Sequence, residues 1–152
     1  MHLRAFALPL VLLFAVASPS VRTGAPAAES PQGHGEEDTP LAHTMEGIRA
    51  DLKQLGKRLG AKDQAAAWKS VCSLQQHVLE AKLESPAKTE SVPDAERPAF
   101  VAAFRTRLAA LLKATCDLET AVLAGDFAAA EKIQKETIWP MQKPAHKEFR
   151  NG

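Results

Sequence analysis

VAAFRTRLAALLKATCDLETAVLAG, residues 101 to 125, is the stretch whose pattern decides the fold. Val101, Phe104, Leu108, Leu111, Thr115, Leu118 and Val122 recur at alternating steps of three and four, so they share one side of a helix. A stripe of this kind is stable only when other helices cover it. Gly125 ends the helix and Asp126 caps the next one.

The same periodicity recurs on both sides. Upstream, Thr39 and Pro40 make a cap followed by a proline at the first helical position, where its missing N–H costs nothing. Leu41, Met45, Ile48, Leu52, Leu55 and Leu59 then form one stripe, and Gly60 is expected as the residue that terminates it. Asp63 caps a second helix running to about Glu84, with Ala67, Val71, Leu74, Val78 and Ala81 as its inner seam and Trp68 beside it. Ser85-Pro86 stops that helix. The polar connection AKTESVPDAER, residues 87 to 97, follows, and Asp94 is the expected cap of the third helix near residue 95. Downstream, the fourth helix runs from Phe127 to about Arg150, starting with Ala130, Ile133 and Thr137 inward and shifting to Trp139, Gln142, His146 and Phe149. Pro140 and Pro144 each remove a donor and crowd the preceding turn, which predicts a kink or a locally loosened helix. The fold expected is all-α, an antiparallel up-down-up-down four-helix bundle over residues 40–150.

Residues 1 to 28 have a different character. MHLR precedes the apolar run AFALPLVLLFAVA, too short to cross a bilayer comfortably, and small-residue sites follow it. This predicts a secretory signal peptide cleaved between about residues 17 and 28, a periplasmic location, and no stable membrane association after cleavage. Residues 29–39 form a flexible leader rich in Pro, Gly, Ser and acid, whose His34 is read as solvated. Without residues 1 to 28 the chain has 17 basic and 18 acidic side chains, a balance that argues against a nucleic-acid binder. No paired carboxylates, nucleophile motif or glycine-rich phosphate loop is present, so no enzyme is expected.

In an up-down bundle the start of the first helix and the end of the fourth lie at one end, which makes Met45 and His146 neighbours. A thioether and an imidazole facing each other across a gap are the axial pair of a low-spin haem iron. His43 lies about 200° around the axis from Met45 and points away, while His77 has no partner at ligand spacing and is read as surface packing. Cys72 and Cys116 are too few for a disulfide framework. Pairing Cys72 with a residue near position 108 leaves the two cysteines about two turns, or ~10 Å, apart along the axes, outside disulfide reach.

The segment LAHTMEGIRADLK, residues 41 to 53, and the ending AHKEFR, residues 145 to 150, resemble the two haem-binding ends of the cytochrome b562 family. Val78 to Ala81 running on to Ser85-Pro86, Phe104 to Leu108, and Leu123 to Ala130 agree in order and spacing, so the resemblance covers about residues 41 to 150. It implies a periplasmic electron-transfer protein with one non-covalent b-type haem, Met45 and His146 as axial ligands, Phe104 and Leu108 packing on the ring, and Pro86 near its edge. The redox partner would be another protein, and the chain would be a monomer. The family usually has an aromatic residue before the histidine and an unbroken last helix, whereas here Ala145 precedes His146 and two prolines stand upstream. No C-x-x-C-H is present for covalent attachment. The alternative reading is a haem-free helical bundle of the cell envelope that binds a protein partner or a metal ion.

Overall fold

The computed structural model describes residues 39 to 150, so the expected signal peptide and all of the leader except Thr39 lie outside the described residues. The described chain is all-helical, and four helices pack closely together. They are α1 (Pro40–Gly60), α2 (Gln64–Ala81), α3 (Arg97–Leu123), and a fourth made of α4 (Phe127–Lys132), a π-helical stretch Ile133–Ile138, and α5 (Trp139–Phe149). A 3₁₀ turn, Ala87–Ser91, lies in the connection between α2 and α3. Among the described residues no helix is long and apolar enough to cross a membrane.

Three caps form where the sequence places them. Thr39 Oγ1 accepts from Ala42 N at 3.1 Å, Asp63 Oδ1 from Ala66 N at 3.0 Å, and Asp126 Oδ1 from Ala129 N at 2.9 Å. Each satisfies a first-turn N–H that has no partner within the helix. Two expected terminators are corrected. α1 is closed by Lys62, not Gly60: Lys62 N donates to Leu59 O and Asp63 N to Arg58 O, and Lys62 holds a left-handed φ of 54°. α3 starts at Arg97 with Pro98 in its first turn, and Asp94 pairs with Arg97 at 3.0 Å instead of capping the helix.

The core follows the seams. Ala67, Val71, Leu74, Val78 and Ala81 of α2 are fully buried, as are Leu55 and Leu59 of α1 and Leu118 and Val122 of α3. Burying each Leu or Val contributes about 1.5–3 kcal/mol, whereas the exposed lysine–carboxylate pairs on the helix surfaces contribute about 0–1 kcal/mol each.

Polar side chains set the register between helices. Gln64 Nε2 at the start of α2 donates to the Val122 and Leu123 carbonyls at the end of α3, at 2.9 and 3.0 Å. Trp68 Nε1 donates to Glu119, and Gln75 Nε2 to Glu119 and to Thr115 O. Arg105 Nε reaches Lys82 O just past the end of α2. Interpolating between these pairs puts the residue opposite Cys72 near position 117, not 108. The physical reason is that register is fixed at the Gln64 end, while the start of α3 overhangs the end of α2 and the 3₁₀ connection spans the overhang.

In the fourth helix the loosening expected at Pro140 takes the form of the π-helical turn that ends at Ile138. Pro140 has no N–H for the Glu136 carbonyl and its ring crowds the turn before it, which favours a wider turn there. The inner stripe beyond it is Ile138, Met141, Ala145 and Phe149, so the expected inward positions of Trp139, Gln142 and His146 are corrected by one residue, and all three are exposed. Before it, Ala130 and Gln134 face the core, while Ile133 is half-buried and Thr137 exposed. Gln134 is buried and its Nε2 donates to Leu52 O at 2.7 Å.

Replacing Lys62 by glycine should stabilise the fold by about 1 kcal/mol, because glycine takes the left-handed conformation without a Cβ clash. Gln134→Ala should cost about 1–3 kcal/mol by removing a buried hydrogen bond and leaving a void. Urea unfolding midpoints at constant m-value check both.

Candidate functional site

The cap at Thr39 fixes where α1 begins and therefore where Met45 falls, about one and a half turns in. Its side chain is half-buried and packs against the core, as does Leu41 one turn earlier. Phe104 and Leu108 of α3 are buried in the same core, and Pro86 is buried in the connection after α2. Phe149 of α5 joins them. Its ring centroid lies 5.3 Å from that of Phe100 and 5.3 Å from that of Phe104, in tilted and edge-on arrangements.

His146 stands outside this cluster. It is exposed, and its imidazole makes no hydrogen bond or ion pair among the described residues. Glu148 shows which flank of α5 it occupies. The Glu148 carboxylate pairs with Arg107 of α3 at 3.2 Å, and the Glu148 carbonyl accepts from Lys88 Nζ at 2.9 Å. His146 is two residues earlier, about 160° around the helix from Glu148. It therefore lies on the flank turned away from α3.

Burial of the core is graded along the molecule. Leu55, Leu59, Val71, Leu74, Leu118 and Val122 are 0% exposed, whereas Ile48 and Leu52 are 7% and 8%, Phe104 and Leu108 are 4% and 5%, and Phe149 is 6%. Val78 and Ala81 of α2 remain at 0%. All of these side chains are buried, and the small exposures fall at both ends of the core, since Ala121 near the end of α3 is 9% exposed. α1 approaches α4 closely and makes few close approaches to α5. A cleft of about 340 Å³ lies by the start of α1, walled by Pro40, Leu41, Pro86 and Ala87, with Thr89 on its lining. Thr89 Oγ1 is buried without a hydrogen-bond partner.

In donor chemistry these residues match a haem, which would need a thioether and an imidazole from the chain. Met45 is half-buried against the core, His146 is exposed outside it, and of the expected site residues only Pro86 lines the cleft. Among the described residues no group of three or more His, Cys, Asp or Glu side chains could hold a bare metal ion.

His77 has a structural role that its spacing did not reveal. Its Nδ1 lies 2.8 Å from Asp51 Oδ2, tying α2 to α1, and its ring packs so tightly on Gly47 that a Cβ there would stand 2.8 Å from it. The aromatic cluster of Phe100, Phe104 and Phe149 was also not evident as a unit, since its members come from two helices far apart in sequence. Cys72 is half-buried and Cys116 exposed, and both are free thiols. No protein-family model, curated protein or solved structure matches the chain.

Without haem, Phe149→Ala should cost about 3–5 kcal/mol, as expected for a buried aromatic ring. His146→Ala should change stability by less than about 0.5 kcal/mol because that side chain is exposed. Chemical denaturation of both variants measures the difference.

Proposed function

We propose that this chain is a periplasmic electron-transfer protein that holds one b-type haem non-covalently between Met45 and His146. The observation that carries it is the half-buried Met45 on the inner face of α1, packed on the same core that holds Phe104 and Leu108. We further propose that the four helices form an antiparallel up-down-up-down bundle. The pairs Gln64 with Val122, Trp68 with Glu119 and Arg105 with Lys82 support opposite directions for α2 and α3.

In this reading a bound haem supplies one-electron chemistry at its iron. Met45 offers a soft thioether from the inner face of α1, which favours the reduced state and raises the potential. His146 would offer an imidazole nitrogen from the flank of α5. Phe104 and Leu108 form the apolar wall that excludes water, and Pro86 stiffens the chain at the edge of the slot. The lack of covalent attachment makes the haem extractable. The redox partner is a protein, and neither nucleic acid nor a membrane is required. The haem-free envelope bundle is the second reading, favoured by one observation: Phe149 already packs on Phe100 and Phe104 and covers part of the core end.

Titrating the purified protein with haem should reach one equivalent, give low-spin absorption bands that sharpen on reduction, and raise the Tm, because a ligand specific to the folded state stabilises it. Met45→Ala and His146→Ala should each shift the bands to a high-spin type and weaken binding at least about tenfold. No haem uptake, or unchanged spectra in both variants, would overturn the proposal.

A further inference from the structure

Five large hydrophobic side chains stand exposed among the described residues, and four of them share one face of the molecule. Leu83 is 80% exposed, Leu123 58%, Leu79 50% and Trp68 42%. At about 100° per residue, Cys72, Leu79 and Leu83, the last in the turn that closes α2, lie within about 60° of Trp68, on the side away from the buried seam. Around α3, Arg105, Leu112 and Leu123 lie within about 60° of Glu119, again on the side away from the seam. Trp68 and Gln75 both donate to Glu119, so the two stripes are neighbours and form one surface over the α2–α3 groove. Its charged side chains are Arg105 and Glu119. Single exposed leucines are ordinary, but a contiguous apolar patch of this kind marks a contact surface.

What covers this surface follows from its own symmetry. Trp68 and Leu83 lie equally far on either side of the midpoint between Gln75 and Gln76, and so do Cys72 and Leu79. On α3, Arg105 and Glu119 lie equally far on either side of Leu112. The contacts of Trp68 with Glu119 and of Arg105 with Lys82 bracket the face and put Leu112 about level with Gln75, so the two helices share one centre. We propose that this face is the interface of a homodimer, a second copy of the chain lying antiparallel upon it, in place of the monomer that the resemblance implies. The two-fold axis lies in the plane of the face and crosses the helices at Leu112, so a half-turn sets α2 on the partner's α2, sets α3 on the partner's α3, and exchanges the mirrored positions. Leu83 then meets the partner's Trp68, Leu79 meets the partner's Cys72, and Arg105 meets the partner's Glu119. Arg105 uses Nε for Lys82 O, which leaves its terminal nitrogens for that carboxylate. A parallel arrangement would instead set Arg105 on the partner's Arg105, so charge selects the antiparallel one. The face runs ~27 Å along α3 and is two helices, ~20 Å, wide, on the scale of the ~800 Å² that each partner buries in a standard interface.

Sedimentation equilibrium of the purified chain, with no haem added, should show its mass doubling as concentration rises from about 1 to 200 μM. Leu79→Glu and Leu83→Glu, both at exposed positions, should keep the helix content and weaken self-association at least about tenfold. Arg105→Glu alone and Glu119→Arg alone each bring like charges together and should weaken it as well. An equimolar mixture of those two variants should recover the doubled mass, because each chain then meets an opposite charge at both positions. A wild-type chain that keeps the monomer mass, a dimer that persists in both leucine variants, or a mixture of the two folded charge variants that stays monomeric would overturn the proposal. So would a chain that is monomeric alone and sediments with phosphatidylcholine vesicles. The result does not depend on haem, so it stands or falls separately from the electron-transfer reading.

Discussion

The Gln134 amide, buried and donating to the Leu52 carbonyl, fixes where the fourth helix meets the first. Leu52 O sits within α1, so this bond uses a lone pair beyond the helix's own ladder, and a side-chain amide left without it in the core would cost about 1–3 kcal/mol. On one side of this junction α4 lies close against α1 and the core is sealed by Leu55, Leu59, Leu118 and Val122. On the other side the π-helical turn redirects the chain, and α5 packs on α3 through Phe149 and Glu148.

A fully sealed bundle gains all its apolar burial from its own side chains and has no need of a ligand. Here Met45, Leu41, Met141 and Ala145 are only partly buried, so apolar surface stays in contact with water where α1 and α5 diverge. A flat apolar ring seated there would add burial that the chain leaves incomplete, and an iron at its centre would find a thioether on one helix and an imidazole on the other.

The inner seams of α1, α2 and α3 were legible in the sequence because steps of three and four put Leu, Ala and Val on one face with few competing positions. Thr39, Asp63 and Asp126 were legible as caps because each immediately precedes a helix and has an oxygen that reaches a first-turn N–H. The rest depended on contacts between distant residues. The left-handed closure at Lys62 is set by backbone bonds to Arg58 and Leu59, and no glycine marks it. The inner stripe of α5 follows from the widened turn before Pro140, so Ala145 rather than His146 faces the core. The α2–α3 register depends on Gln64, Trp68 and Gln75, long polar side chains that periodicity treats as surface. For the candidate site, the half-buried position of Met45 and the burial of Phe104, Leu108 and Pro86 were within reach of pattern reading, while the flank occupied by His146 was not.

The proton resonance of the Met45 ε-methyl group in reduced, haem-loaded protein tests the central claim most directly. Ring current from a macrocycle bound through that sulfur should move this three-proton singlet far upfield of every other methyl signal, and the signal should vanish in Met45→Ala. A Met45 methyl that keeps its ordinary shift after haem is added would contradict the account.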